Sequence, residues 1–290
     1  MINSKNISSI EKLLNKKIRF SKLLSSSFGI NCIKIITTDN ISFVVKYYEK
    51  INKKFNAIDS ETKNLLYMNE LSLEIFPKIF AYSNNYIIMS YLDNDKNQPA
   101  ETKFDLLDAI TSLHSLNEIK FGFDFDTQIG GLKQKNNKSD NWVNFYREYR
   151  LGYIYEIINS SNLMDESINK KIEYLIKNLE SFIPKKPIAS LLHGDLWEGN
   201  ILFNNYKFCG FIDPGSFYGH NELEIAYLRW FNPIFIDEDF IEKYSTYIKI
   251  EKEYFSYEPI YQLYYSLLNV YLWDKNYIED VKRLLNKIGI

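Results

Sequence analysis

The sequence has little cysteine and proline and no long hydrophobic run. Its 290 residues include 2 Cys, 7 Pro and 11 Gly. Cys32 and Cys209 lie far apart and form no CxxC pair, so we expect a reduced compartment, a cytoplasmic location and no zinc site. No segment approaches the roughly 18 apolar residues of a membrane span, and the N-terminal segment lacks the apolar core of a signal peptide.

The charge is nearly balanced, with a formal net charge of −2. This balance argues against nucleic acid or an anionic membrane as a partner. It does not exclude phosphate ligands, because a local site can bind them without a basic surface. The 46% hydrophobic and 25% charged residues are typical of a globular protein. The length fits two lobes or one large α/β unit.

Residues 1–92 read mainly as strands around one helix. The segments "GINCIKIITT" and "ISFVVKYYEK" predict a hairpin, and "DSETKNLLYMNELS" predicts a helix capped by Asp59 or Ser60. "FPKIFAYSN" and "YIIMSYLDND" predict a second hairpin with an Asn-Asn turn. We therefore expect a small antiparallel lobe carrying one helix.

Residues 93–290 change to a helical pattern, and the segment from Asp93 to Pro99 is the expected boundary. Helical periodicity is clear in "KFDLLDAITSLHSLN", "WVNFYREYRLGYIYEIIN" and "ESINKKIEYLIKNLESFI". Within this part, "ILF" and "KFCGFID" predict a short hairpin. The expected fold is α+β, with a larger, mostly helical second lobe.

The segment "LLHGDLWEGNILF" contains the spacing H-x-D-L-x-x-x-N, and Asp213 in "FIDPG" follows the hairpin. This pattern fits phosphoryl transfer, in which one carboxylate accepts the proton of the attacking hydroxyl and other oxygen ligands hold Mg²⁺. Asp195 fits the role of base, and Asn200 with Asp213 fits the role of metal ligands. The alternative is that all three are turn residues, but their combined spacing favours function.

Phosphoryl transfer also requires a lysine on an early strand to hold the nucleotide phosphates. Lys46 in "FVVKYY" meets this requirement, although a strand lysine is usually solvated. Glu61 could orient Lys46, or could simply stabilise the start of its helix. The loop "SSSFGIN" is the candidate phosphate cover. The backbone of Met89, Ser90 and Tyr91 is placed to meet an adenine edge of ATP.

The motifs "HGDLWEGN", "IDPGSFYGHNELEIA", "FGFDFDTQIGGLKQKN" and "WVNFYREYRL" resemble the fructosamine kinase (ketosamine 3-kinase) family, over nearly the whole chain. That family is grouped with aminoglycoside phosphotransferase-like and protein-kinase-like folds. The resemblance implies a bilobal fold, ATP with Mg²⁺, and phosphorylation of the 3-hydroxyl of a ketosamine as a deglycation repair. It implies the same roles for Asp195, Asn200 and Asp213, with Lys46 and Glu61 as nucleotide clamp.

Some residues depart from the family pattern. Glu198 stands where a small residue is usual, Asn221 where Arg is usual, and Glu224 where Asp is usual. Gly215 follows Asp-Pro where Ala is commoner. These departures bear on substrate choice and rate more than on fold.

Other polar and aromatic residues have a structural interpretation beside a functional one. His114 fits a packed helix face, and His193 fits a support for the catalytic loop. His220, Glu222 and Glu224 could shape the substrate side or begin a helix. Trp197 could form a wall against the sugar.

Three functions remain open: a kinase for free or protein-linked ketosamines, a kinase for another amine-bearing alcohol such as an aminoglycoside or choline, and a nucleotide-binding pseudokinase scaffold. The last would be expected to have lost Lys46, Asp195 or Asp213, yet all three are present. The sequence leaves the oligomeric state open.

Overall fold

The computed structural model describes residues 4–48 and 55–290. The chain divides into two compact units. The first comprises Met1–Gln98, Thr127–Lys133 and Asn200–Gly215, and the second comprises Pro99–Asp126, Gln134–Gly199 and Ser216–Ile290. The predicted lobes 1–92 and 93–290 are each one continuous segment. In the structure, two later segments of the chain also belong to the first unit.

The first unit contains a five-stranded antiparallel sheet with the strand order β1-β2-β3-β5-β4. Its strands are β1 (Ile18–Ser27), β2 (Ile30–Thr37), β3 (Ser42–Tyr48), β4 (Ile79–Ser83) and β5 (Tyr86–Ser90). The two predicted hairpins are present. Strand β1 was missed, because it is exposed along most of its length and so lacks an alternating apolar pattern.

Two helices accompany the sheet, α1 (Ser4–Leu14) and α2 (Ala57–Glu70). The predicted cap of α2 at Asp59 or Ser60 was wrong. The helix begins earlier, and the side chain of Asn56 accepts a hydrogen bond from the Asp59 N–H at 3.1 Å. An asparagine in this position satisfies one of the free N–H groups of the first turn.

Two hairpins from later in the chain complete the first unit. They are formed by β7 (Thr127–Ile129) with β8 (Leu132–Gln134), and by β10 (Ile201–Asn204) with β11 (Lys207–Phe211). The N–H of Phe211 donates to the carbonyl of Ile75 at 2.7 Å, and the N–H of Asp95 donates to that of Phe203 at 3.2 Å. These bonds connect residues 200–215 to the rest of the first unit.

The second unit is mainly helical. Its helices are α3 (Phe104–His114), α4 (Trp142–Tyr146), α5 (Gly152–Ser160), α6 (Glu166–Lys177), α7 (Asn221–Trp230), α8 (Phe240–Ser245), α9 (Tyr254–Leu272) and α10 (Ile278–Ile288). A small antiparallel sheet of order β12-β9-β6 accompanies them, formed by β6 (Asn117–Glu118), β9 (Ala189–Leu192) and β12 (Phe217–His220). Among the described residues, no helix is long and apolar enough to cross a membrane.

The segment "WVNFYREYRL" forms part of the core of the second unit. Trp142 donates to the hydroxyl of Tyr261 at 2.8 Å. The fully buried guanidinium of Arg150 lies over the Phe217 ring and donates to Asn136 at 2.7 Å. These contacts place Trp142 and Arg150 in the core of the second unit.

Candidate active site

The first unit places Lys46 between two carboxylates. Its side chain leaves strand β3 and is only 8% exposed. Its Nζ lies 2.7 Å from Oε1 of Glu61 on α2 and also contacts the carboxylate of Asp213. The structure thus brings together three residues that the sequence separates by up to 167 positions.

Burial and charge act in opposite directions on this cluster. Burial alone would lower the pKa of Lys46, but the carboxylates of Asp213 and Glu61 more than compensate, so its pKa is raised. Burial raises the pKa of Glu61, while the Lys46 ammonium opposes that rise. Lys46 is therefore a fixed positive charge in the first unit.

The β10–β11 hairpin places Asn200 and Asp213 at its open end. Asn200 directly precedes β10, and its carbonyl accepts a hydrogen bond from the Ile212 N–H at 3.1 Å. Asp213 comes next and has φ 59°, a left-handed conformation that aspartate tolerates in turns. The thirteen-residue spacing from Asn200 to Asp213 therefore corresponds to one hairpin and the residues that flank it.

This donor set fits Mg²⁺. A carboxylate and a side-chain amide oxygen are hard ligands, and Mg²⁺ usually takes only one or two protein carboxylates together with water and phosphate oxygens. The described residues contain no cluster of three or more His, Cys, Asp or Glu that could hold a metal alone. One carboxylate and one amide oxygen are a donor set that could hold Mg²⁺ together with the phosphates of a nucleotide.

In the second unit, strand β9 leads into the loop that carries Asp195. Gly194 in this loop has φ 86°. Two backbone N–H groups of the loop donate to the carboxylate of Glu224: that of Gly194 to Oε1 at 2.7 Å, and that of His193 to Oε2 at 2.9 Å. Nε2 of His114 lies 2.9 Å from Glu224 Oε2. The loop is therefore tied to helices α3 and α7.

Glu224 is fully buried and charged. Burial alone would raise its pKa, but the hydrogen bond and charge of His114 and the N–H of Gly194 outweigh it, so the pKa is lowered. Sequence reasoning placed Glu224 only at a helix start, with a possible role on the substrate side. A carboxylate inside the apolar run "LEIA" was the available signal.

Trp197 and Gly199 depend on each other within the loop. A Cβ on Gly199 would lie 2.3 Å from the indole ring of Trp197, so a larger residue there would displace the indole. The half-buried indole also contacts the Phe231 ring at a centroid distance of 5.9 Å. Glu198 opens a short 3₁₀ turn, Glu198–Asn200, and is half-buried.

His220 lies inside the second unit. It is 2% exposed, and its Nδ1 lies 2.8 Å from the Tyr261 hydroxyl. Burial lowers the pKa of His220 to about 3. His220 directly precedes α7, which agrees with the alternative that it begins a helix. Its side chain offers little surface to a substrate.

The predicted adenine and phosphate segments lie on the N-terminal sheet. The Ser90 N–H donates to the Lys78 carbonyl at 2.8 Å and is already engaged, while Met89 is buried and the Tyr91 ring lies under Lys34. "SSSFGIN" spans the β1–β2 turn, in which Phe28 and Gly29 have positive φ. It is a tight two-residue turn, without the open glycine loop of many kinases.

Comparison with known proteins identifies the family. The model of the family described as fructosamine kinase matches residues 5–289. The chain belongs to the fructosamine kinase family. It is a phosphotransferase that acts on a hydroxyl acceptor, as predicted, and membership of a kinase family supports ATP as the phosphate donor.

Individual relatives agree with this assignment. A ketoamine kinase candidate of Enterococcus faecium is 29% identical over 86% of this chain and 88% of its own length. The chloroplastic protein-ribulosamine 3-kinase of Arabidopsis thaliana is 29% identical over 89% of this chain and 82% of its own length.

Solved structures confirm the predicted protein-kinase-like α+β fold. A fructosamine-3-kinase candidate of Thermobifida fusca superposes with a TM-score of 0.86 at 18% identity, covering 100% of this chain and 99% of that one. APH(2'')-IIa, in a ternary complex with streptomycin and ATP, has a TM-score of 0.62 at 17% identity, covering 99% and 97%. At these identities the likeness shows the fold alone.

Proposed function

We propose that this fructosamine kinase family member transfers the γ-phosphate of ATP to the 3-hydroxyl of a ketosamine, as a deglycation activity. The substrate is free or attached to a protein amine. Asp195 accepts the hydroxyl proton, the hydroxyl oxygen bonds to the γ-phosphorus, and the bond to the β-phosphate oxygen breaks to release ADP. The product is the 3-phosphate of the ketosamine.

The Lys46–Glu61–Asp213 cluster is the observation that carries the phosphoryl-transfer part of this proposal. It supplies a buried cation for the nucleotide phosphates and a carboxylate beside it, at the end of the hairpin that also presents Asn200. Asn200 and Asp213 would hold Mg²⁺, which neutralises phosphate charge when bound. The Lys46 ammonium contacts the Asp213 carboxylate directly.

The ketosamine part of the proposal is supported by the family match over residues 5–289 and by the motif "HGDLWEGN". The half-buried indole of Trp197, two residues after Asp195, offers an apolar face of the kind that sugars stack on. The glycine that accommodates this indole is part of the same motif.

An acceptor panel tests this function. Purified protein with Mg-ATP is offered fructosyl-lysine, ribulosyl-lysine, an aminoglycoside, choline or no acceptor, and ADP release is measured with Asp195→Asn as the blank. Turnover with a ketosamine alone, absent from the blank, is the expected result. Turnover with the aminoglycoside or choline alone would overturn the substrate assignment, and Mg-ATP binding without turnover on any acceptor would favour the scaffold function.

A further inference from the structure

Helix α7 contacts the Asp195 loop at two points, one helical turn apart. The first is Glu224, which accepts the N–H groups of His193 and Gly194. The second is Tyr227, whose hydroxyl lies 3.4 Å from Oδ1 of Asp195. Residues three positions apart share one helix face, so α7 presents both side chains to the same loop.

The ring of Tyr227 has little freedom to move. It is 6% exposed and stacks on the Tyr265 ring with a centroid distance of 3.6 Å and an interplanar angle of 4°. The Phe231 ring lies 5.8 Å away on another side. Because the ring is fixed, the hydroxyl oxygen is held in one position beside Asp195.

The hydroxyl can act as a donor throughout the working pH range. Burial raises the pKa of Tyr227 well above its ordinary value, and the Asp195 carboxylate raises it further. Burial raises the pKa of Tyr264 and Tyr265 on α9, and the charge of Asp195 adds to this rise. A protonated phenol beside an ionised carboxylate stabilises the charged form.

We propose that Tyr227 is a positioning residue for the base: its hydroxyl donates to Asp195 and keeps the carboxylate in one orientation for the acceptor hydroxyl. This inference rests on the proposed function. A phenylalanine ring would pack equally well at this position, so the informative feature is the hydroxyl and its position beside Asp195. Hydrogen bonds of catalytic groups are often long before substrate binds and tighten afterwards, which fits the 3.4 Å separation.

The kinetic test compares Tyr227→Phe with Tyr254→Phe. Tyr254 is also fully buried, and its hydroxyl donates to Glu258 at 2.8 Å, so the control removes a similar group beside a different carboxylate. We expect Tyr227→Phe to lower kcat roughly threefold to thirtyfold with an unchanged KM for ATP. The acidic limb of its pH–rate profile moves to higher pH. Equal kcat losses in the two variants, without a pH shift, would overturn the proposal.

A double-mutant cycle tests the same contact without turnover. Urea unfolding is measured for Tyr227→Phe, Asp195→Ala and the double variant. A control cycle replaces Tyr227→Phe by Tyr254→Phe and keeps Asp195→Ala. We expect a coupling of about threefold or more in the unfolding constant for the first pair and additivity for the second. Coupling in a protein without ketosamine turnover would reject the proposed function alone, whereas additivity in both cycles would reject the role of Tyr227.

Discussion

The two units hold the carboxylates of Asp213 and Asp195 in different ways. In the first unit, Asp213 is held by the ammonium of Lys46, which also binds Glu61. In the second, the loop of Asp195 is held by N–H groups that end on the buried carboxylate of Glu224. The first arrangement is a cluster of side-chain ion pairs, and the second is a set of directed hydrogen bonds to the backbone.

This difference matches what each carboxylate has to do in the proposed reaction. Asp213 has a side chain that is 38% exposed, and it must exchange a lysine contact for a metal and phosphates. An ion pair permits that exchange, because each partner finds a new one in the nucleotide complex. Asp195 must instead keep one geometry through proton transfer, which favours a loop fixed in advance.

The largest expected effect is at the proposed base, Asp195. Asp195→Asn should fold normally and bind ATP, yet lose about 10² to 10⁴ in kcat, because the amide cannot accept the hydroxyl proton. Turnover and thermal unfolding measured on the same preparation check this. A variant with near-normal kcat would show that another group is the base.

The next effect separates the two kinds of support. Glu224→Gln points an N–H₂ group at donors that need an acceptor, so we expect a loss of about 2–4 kcal/mol in the free energy of unfolding. The matched variant Glu61→Gln should cost about 1 kcal/mol, because Lys46 keeps its contact with Asp213. Urea unfolding measures both, and equal losses would remove the distinction between the units.

Lys46→Met tests the nucleotide role of the first unit. It removes the cation that would hold the phosphates, so the KM for ATP should rise about tenfold or more, while the KM for the acceptor changes little. Initial rates at varied ATP check this. An unchanged KM for ATP would assign the phosphates to another group.

The smallest effect concerns pH. Burial raises the pKa of Glu222 on α7 to about 7, so its contribution to stability is full below about pH 4.5 and is lost as the pH rises through 7. Glu222→Gln cannot ionise and should be more stable than the parent by about 1–2 kcal/mol at pH 8, with no such gain at pH 4.5.

Urea unfolding at the two pH values measures this difference. His220, which lies 3.4 Å from Glu222, titrates below this window in the folded state and near pH 6.5 when unfolded. Its contribution is present in both proteins and cancels in their difference. A gain of the same size at both pH values would show that Glu222 is not the titrating group.

The sequence predicts the parts of this protein that depend on local pattern. The Asn-Asn turn, the 201–211 hairpin and the helices of the second unit each have a short-range signal, and they are present. The exposed strand β1 has no such signal. The cap of α2 is Asn56, which lies three residues before Asp59, the first of the two residues that the pattern favoured.

Long-range contacts could not be predicted in this way. Lys46 was expected to pair with Glu61, and Asp213 to hold Mg²⁺ with Asn200, but the contact between Lys46 and Asp213 was not among the predictions. Nothing in the local pattern around Tyr227 or Glu224 indicates that both face Asp195's loop, because that contact depends on how α7 packs. Supporting residues are therefore harder to find than reacting ones.

The first unit also has a consequence for biosynthesis. Residues 200–215 belong to this unit and form hydrogen bonds with Ile75 and Asp95, so the unit can be completed only after about three quarters of the 290 residues have been translated. Domains usually fold in order as they leave the ribosome. Here the N-terminal strands are synthesised long before residues 200–215, and the edge strand β1, which stays exposed in the finished fold, presents unpaired backbone groups throughout that interval.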